Sequence, residues 1–586
     1  MWRKVIVVLL MAEISLFAQD RDGVAEIMSF LGAEAPEEVD EEEMERLSYF
    51  LQHPLKINQV TLERLVDSGL MDRYRAVSLS DYRARHGDVV SPVELSLVDG
   101  FGESFVKMLR PFISFESALL PGEKIRNKTF LNADIHIKGG TKYSDACQWM
   151  SGVKSKLEYG ERYVASIAMT SPYGQFNPDA LNYSASVLMR FPRIHSKLVA
   201  GDFNARFGQG LVLWNGLSLS SLSSPSAFMK NPVGLSLSSS YTGNYSFTGA
   251  GFESAFGRYV ISGILAISGI KYNKGRNITL APALNVARYG KYGHAALTHT
   301  SMICAGQESM RHMSSFDTRW CFSGVDLFGE CAFDWINGKI AAVGGAIVPV
   351  VESVRIATVL RYYPTAFESE YSAAIYSVSS ATNEYSMSVS SEFDIIKKHR
   401  VVFTLDAAHL PLAKKGDRGG SMQFKGLLTW EGKVLDWLSL KARLTERYRT
   451  WGEMSRMDAR LDVLSEVGAF RINLRLNALA CSELGLLSYL EGGYVRNRIS
   501  VWVRQGFFMI DDWDDRIYVY ERGAPGSFKV PAYYGRGLWS AMMLSAKLSK
   551  LCKLYLRSSY TAYPFMTSEK RKPGKAELEL YSVLSF

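Results

Sequence analysis

From about residue 127 to the carboxyl terminus, apolar side chains recur at every second position. In Arg471–Ala478, Ile472, Leu474 and Leu476 alternate with Arg471, Asn473, Arg475 and Asn477. In Leu438–Thr445, Leu438, Leu440, Ala442 and Leu444 alternate with Ser439, Lys441, Arg443 and Thr445. Cys552, Leu554 and Leu556 alternate with Lys553, Tyr555 and Arg557, and Ile499, Val501 and Val503 with Ser500, Trp502 and Arg504. A helix scatters such residues around its surface, whereas a strand puts them on opposite faces. About 18–22 runs of this kind, each ~9–12 residues long, are expected, a length that suits a tilted strand crossing a hydrocarbon layer. Turn signals separate them. Asn337-Gly338 predicts a two-residue type I′ turn with both φ angles positive. Gly160-Glu161 and Glu431-Gly432 read as turns, and Lys414–Asp417 as a longer loop.

No stretch reaches ~18 consecutive apolar residues, so a membrane-spanning helix is not expected. A chain of this type enters a membrane only as a closed sheet, because every backbone polar group must be satisfied there. Arg3 and Lys4 precede the apolar run Val5–Ala12, and Leu16-Phe17-Ala18 predicts cleavage of an export signal, residues 1–18, before Gln19. No Cys lies near that site, so a lipid anchor is not expected. A soluble sandwich rarely needs so many strands. A propeller would show a repeat of ~40–50 residues, and none is visible. The fold class expected is mainly β: a large antiparallel transmembrane β-barrel over 127–586, preceded by a small α-helical part.

The net charge of +8 hides a segregation. Residues 20–53 carry eleven Asp/Glu against Arg21 and Arg46, a net of −9; residues 54–113 are neutral, with eight of each sign; residues 114–586 carry a net of +16. The acidic stretch, 19–53, reads as a helical arm, with Val24, Ile27, Met28 and Leu31, then Met44, Leu47, Phe50 and Leu51, at helical spacing. Taken locally, Glu37–Glu45 has the pattern of a solvated helix face. The opposite signs of arm and barrel nevertheless point to a contact between arm and lumen or rim.

Residues 54–113 predict four short helices. Gly69 and Gly87 stop the first two, and Ser91-Pro92 with Glu94 opens the third as a capping box with Pro at its first position. Gly100-Phe101-Gly102 makes a tight turn into the fourth, which Pro111 closes. Ile57-Asn58, Tyr82-Arg83-x-x-x-Gly87 and Val98-x-Gly100-x-Gly102 followed by Leu109-Arg110-Pro111 resemble the tandem helix-hairpin-helix module of the competence DNA receptor ComEA. Residues 114–126 read as a linker with Pro121-Gly122.

Further on, Leu198–Phe203 with Arg206-Phe207-Gly208-Gln209-Gly210-Leu211-x-x-Trp214, and Tyr518-x-Tyr520-Glu521-Arg522 continuing to Gly537, are similar to segments of the helix-hairpin-helix outer-membrane β-barrel proteins of Bacteroidota. This resemblance covers most of the chain and implies architecture more than activity. The last strand, Ala576-x-Leu578-x-Leu580-x-Ser582-x-Leu584-x-Phe586, resembles the signal read by the outer-membrane barrel assembly machinery, with Leu580, Leu584 and Phe586 carrying it.

Three constellations bear on chemistry. In a working helix-hairpin-helix the glycine turn offers backbone N–H groups to a phosphate. Gly100, Phe101 and Gly102, with Lys107 and Arg110, are the candidates. The neutral module, and Asp67 and Asp72 beside the first turn, disfavour nucleic acid, so a protein-docking or structural role is the leading expectation. In the barrel, if the Leu and Ile faces meet lipid, then Lys441, Arg443, Arg447, Arg471, Arg475, Lys553 and Arg557 face the lumen, since outward placement costs about 2–4 kcal/mol each near the midplane. They either favour anions or pair with inward carboxylates such as Glu577 and Glu579. Asp511–Asp515 has four carboxylates but no EF-hand spacing and reads as a solvated loop. No G-x-S-x-G, H-E-x-x-H or P-loop is present, and no metal or cofactor is expected. The six cysteines read as isolated thiols.

The leading expectation is a non-enzymatic outer-membrane pore or transport component, its helical module periplasmic, plugging the lumen or docking a protein partner. A DNA-handling protein, and a structural partner in an outer-membrane complex, are the alternatives. Outer-membrane lipids, the assembly machinery and a periplasmic protein are the expected partners.

Overall fold

The computed structural model describes residues 23–586 except 118–130, 144–145, 176–179, 216–221, 239–240, 242–245, 269–278, 305–309, 352, 397, 525 and 567–572. The expected export signal and most of the expected linker lie outside the described residues.

Among the described residues, twenty-four antiparallel strands, from Leu131–Tyr143 to Lys575–Ser585, close into a barrel, and the short strand Gly234–Leu237 pairs with Ser196–Arg206 beside the ring. Closure is made by the last strand on the first: Ser585 lies opposite Asp134, and the Phe586 N–H donates to the Ala133 carbonyl at 2.9 Å. The strand number exceeds the expected range. In Tyr259–Ser268 the inward positions Val260, Ser262, Ile264 and Ala266 are buried but mostly apolar, so the alternation is faint in sequence. Those positions pack on a segment folded into the lumen rather than on water: Ile264, Ala266, Ala281 and Val343 share a core with Phe207, Leu211 and Phe228.

Outward side chains are apolar and exposed. Ile472 and Leu476 are 51% and 46% exposed, whereas Arg475 between them is buried. Exposed aromatics such as Tyr143, Trp149, Tyr159 and Tyr163 stand near the strand ends, as in the aromatic girdles of membrane barrels. The two barrel ends differ. At one, connections are tight, as between Phe256 and Tyr259 or Phe322 and Val325; at the other they are long, as between Arg206 and Phe247, Tyr363 and Glu384, or Ile510 and Gly535.

Two expected turns are corrected. Asn337 does not have positive φ; only Gly338 does, at 59°. The connection is a four-residue turn whose amides at Ile336 and Asn337 are taken by the Asp334 carboxylate at 3.0 and 3.2 Å. Glu431-Gly432 is not a turn but lies inside the strand Ser421–Leu435, with Gly432 opposite His399.

Among its described residues the amino-terminal part holds six α-helices: α1 (Gly23–Leu31), α2 (Glu41–Gln52), α3 (Leu62–Asp67), α4 (Arg73–His86), α5 (Pro92–Ser96) and α6 (Gly102–Leu109). One hydrophobic core runs through all of them, joining Ile27 and Leu47 to Leu65, Leu79, Leu95, Val106 and Phe112. The acidic arm and the neutral module are therefore one packing unit. Residues singled out in the sequence hold it together. Asn58 donates to the Val89 carbonyl at 2.9 Å, Arg83 donates to the Asn58 and Val60 carbonyls at 2.7 and 2.9 Å, and the Ser91 hydroxyl caps α5 at the Glu94 amide.

Candidate functional site: the arm and the lumen wall

The carboxylates of the helical unit meet cations on the inner wall. Glu34 lies 3.0 Å from both Arg400 and Lys441; Glu37 lies 2.9 Å from Arg475 and 3.3 Å from Arg460; Glu38 lies 2.6 Å from Arg443. Glu43 reaches Arg206 at 3.0 Å, and Glu45 reaches Lys154. The Glu37–Glu45 run is thus not a solvated face. Its charges are taken up by a wall that local sequence does not reveal.

The neutral module contacts the wall nearer the short-turn end. Asp67 pairs with Arg190 and Lys197, Asp72 with Arg319 at 2.6 Å, Arg73 with Glu253 at 2.6 Å, and Arg64 with Glu158. The Tyr74 hydroxyl donates to the Lys291 carbonyl at 2.7 Å. The aspartates flanking the first glycine turn, read in sequence as hostile to phosphate, serve as docking residues. Burial pushes the Asp67 and Asp72 carboxyls up, but the facing cations overcome it and hold both below the usual carboxylate range.

The barrel segments beginning at Leu198 and at Tyr518 both reach the arm. Arg206 carries its guanidinium to Glu42 and Glu43. Gly208 and Gly210 then turn the chain inward with φ of 60° and 85°, and Glu330 accepts the Gln209 and Leu211 amides at 2.7 and 3.0 Å. In the second segment, the Tyr520 amide donates to Glu37 at 3.0 Å, Glu521 pairs with Arg557, and Arg522 pairs with Glu491 at 3.0 Å. Glu330 and Glu491 carry no sequence signal of their own: each belongs to an alternating strand, Glu330 gains its role through contact with a distant loop, and Glu491 bridges Arg504 on the neighbouring strand, at 2.8 Å, to Arg522.

The sequence candidates fall as follows. Lys441, Arg443 and Arg475 point inward and hold the arm. Arg557 is buried beside Glu521, with Glu577 and Glu579 each 3.6 Å away. Arg471 and Lys553 line a cavity of about 880 Å³ between α2 and the wall near the short-turn end, where Arg471 is 3.4 Å from Glu466. Lys156 lines the same cavity, its ammonium 4.9 Å above the Tyr49 ring. Arg447 points inward near the long-loop end. Leu580 and Phe586 are exposed on the outside, and Leu584 is half-buried.

The second glycine turn lies on the free side of the helical unit. Phe101 is buried against Phe105, Gly100 packs on the Tyr74 ring, and Gly102, Lys107 and Arg110 are exposed. Val90, Val93 and Leu97 beside them are 73%, 73% and 78% exposed. The Asp511–Asp515 loop is partly tied down: Asp515 accepts the Ser482 and Glu483 amides, and Asp511 pairs with Arg536. Among the described residues no group of three or more His, Cys, Asp or Glu is set to hold a metal ion. Five described cysteines, Cys147, Cys321, Cys331, Cys481 and Cys552, are free thiols.

No protein-family model matches the sequence, and neither does any curated protein. Solved structures do. The chain is similar to the copper transporter OprC, with a TM-score of 0.43 and 9% identity over 79% of this chain and 82% of that one. It is similar to the ferric-catecholate import receptor Fiu of E. coli in its open form, at 0.38 and 10% over 79% and 82%. It is also similar to the outer-membrane protein OpdK of Pseudomonas aeruginosa, at 0.31 and 9% over 78% and 99%.

Proposed function

We propose that the chain is a non-enzymatic outer-membrane transport barrel whose lumen is occupied at rest by its own helical unit. The observation that carries this reading is the set of ion pairs between Glu34, Glu37 and Glu38 and the cations Arg400, Lys441, Arg443, Arg460 and Arg475 on the wall. Such contacts seat the helical unit reversibly in the lumen, and weakening them lets it shift and open an aqueous path. Bacterial barrels keep short turns on the periplasmic side and long loops outside, and the docking of the module nearer the short turns supports a periplasmic position for it.

Conductance across planar bilayers tests this. The intact protein is expected to conduct little. The triple variant Glu34→Gln/Glu37→Gln/Glu38→Gln is expected to conduct more, with greater noise as the unit moves. Absence of conductance in both sinks the reading.

The free face of the unit suits a periplasmic protein better than a phosphate backbone. Val90, Val93 and Leu97 make it apolar, and the exposed carboxylates Asp99 and Glu103 flank Gly102. A low-salt gel shift with the whole protein is expected to show no DNA binding, since electrostatic attraction is strongest there; a shift abolished by Lys107→Gln/Arg110→Gln would reverse this assignment.

A further inference from the structure

The neighbouring strands Leu438–Arg449 and Met454–Val467 set arginine opposite arginine twice. Arg443 lies in register with Arg460, and Arg447 with Arg456. The two pairs are four residues, about 13 Å, apart along the strands. Like charges directly opposite each other on a sheet repel, so each pair calls for an anion between its members. At the first pair the arm provides one: Glu38 lies 2.6 Å from Arg443 and Glu37 lies 3.3 Å from Arg460.

At the second pair no described side chain does. Among the described residues no Asp or Glu oxygen comes within 4.0 Å of the Arg447 or Arg456 guanidinium. Arg456 donates to the backbone carbonyls of Asp514 and Arg516 at 3.0 and 3.1 Å, and Arg447 makes no such bond among the described residues. Lys425 stands opposite Arg447 on the other side and widens the row to three strands. Arg449 donates to Gln423 at 2.7 Å and lies over the Trp451 ring. The nearby carboxylates are engaged elsewhere: Asp514 is 3.8 Å from Arg516, Asp458, between the two arginine pairs, accepts the Asn477 amide at 2.7 Å, Asp406, opposite Lys425 in register, pairs with Arg361 and accepts from the Ser388 hydroxyl at 2.6 Å, and Glu38 is taken by Arg443. The row sits half-buried at the long-loop mouth, one level beyond the pair that the arm neutralises.

We propose that Lys425, Arg447 and Arg456 form a subsite for the anionic group, carboxylate or phosphate, of a ligand coming in through the long-loop mouth. Glu37 and Glu38 are its resident mimics one level down. Guanidinium groups suit both anions because their planar donors match two oxygens at once. Successive sites of one kind allow an anion to bind and still leave. Calling the ligand a cargo rests on the transport reading above; the binding itself does not.

Calorimetric titration of the whole protein in detergent, with citrate and separately with inorganic pyrophosphate, tests the subsite. At least one is expected to bind, and Arg447→Gln/Arg456→Gln is expected to weaken it tenfold or more. Arg447→Lys, which keeps the charge but loses the planar fork, is expected to weaken binding less than the double variant does, and Lys398→Gln at the opposite end leaves it unchanged. Binding of citrate alone assigns the site to carboxylates, of pyrophosphate alone to phosphates, and of both to either. Because the double variant removes a repulsion, its unliganded thermal midpoint is expected to be no lower than that of the parent, which separates lost binding from lost fold. No binding of either anion, or equal binding by parent and double variant, overturns the proposal. Anion binding without any conductance would leave the subsite standing and sink the transport reading; conductance without anion binding would do the reverse.

Discussion

Glu37 and Arg475, 438 residues apart in the chain, meet at 2.9 Å inside the barrel. The same carboxylate accepts the Tyr520 amide and pairs with Arg460. Burial pushes the Glu37 carboxyl up, but the two guanidiniums and the amide overcome this and hold it well below the usual carboxylate range. A carboxylate depressed in this way adds stability above its unfolded value and loses it as pH falls through the folded one. Glu37→Gln is expected to weaken the arm–wall contact by about 2 kcal/mol at pH 7. Faster hydrogen exchange of the α2 amides reads this, and unchanged protection contradicts it.

Asp72 carries three loads. It caps α4 at the Arg75 amide and pairs with the Arg75 and Arg319 guanidiniums, each at 2.6 Å. Asp72→Ala removes all three and is expected to cost about 3–5 kcal/mol, because it leaves Arg75 without its ion pair and Arg319 buried with only Asp326. Asp72→Asn keeps the cap and recovers about 1 kcal/mol of that loss. Limited proteolysis at α4 ranks the three proteins.

Asp40 behaves in the opposite sense. It caps α2 by accepting the Glu42 and Glu43 amides. Burial, then the Glu43 and Glu42 carboxylates, push its carboxyl up to about 7 from 3.8, against the pull of Arg206. A raised folded value means that the group contributes most below the unfolded value, and that stability falls as pH rises from about 4 to about 7. Asp40→Asn keeps an acceptor oxygen for the cap and removes the charge. Its gain in α2 protection is expected to grow over that window and level off above it. A gain that is the same at pH 4 and pH 8 contradicts the assignment.

Gly100 and Gly102 both have positive φ, 85° and 62°. A side chain at Gly102 points into open space, whereas one at Gly100 would overlap the Tyr74 ring. Gly102→Ala is expected to cost about 1–2 kcal/mol, the price of left-handed backbone alone. Gly100→Ala should cost more and also disturb the Tyr74 contact with the wall. Thermal unfolding of the two variants orders them, and equal midpoints would contradict the packing.

Leu580 faces outward on the closing strand and is 55% exposed. Leu580→Arg is expected to destabilise the inserted barrel by about 2–4 kcal/mol, measured by denaturant unfolding from lipid vesicles. An effect below about 1 kcal/mol would mean that this position does not meet lipid.

The period-two alternation makes the barrel legible, and parity alone turns Lys441, Arg443, Arg447 and Arg475 inward. Faint alternation hides strands such as Tyr259–Ser268, where the inner face packs on a folded loop and carries Ala and Ser instead of charge. Asn337-Gly338 misleads because a neighbouring residue, Asp334, takes the turn amides and removes the need for two positive φ angles. Glu37–Glu45 misleads for a different reason: its local pattern equals that of a solvated helix, and its partners stand as far away as Arg443 and Arg475.

The sequence by itself determined that a helical part precedes a strand-built part, and which face of the clearly alternating strands is apolar, because those periodicities are local and are imposed by backbone geometry. It also determined that an acidic arm and a basic barrel share one chain. Only the tertiary structure decided that Glu38 meets Arg443, that Arg447 stands opposite Arg456, and that twenty-four strands close the ring. Those relations depend on strand register and on closure across hundreds of residues, and no local pattern carries that information.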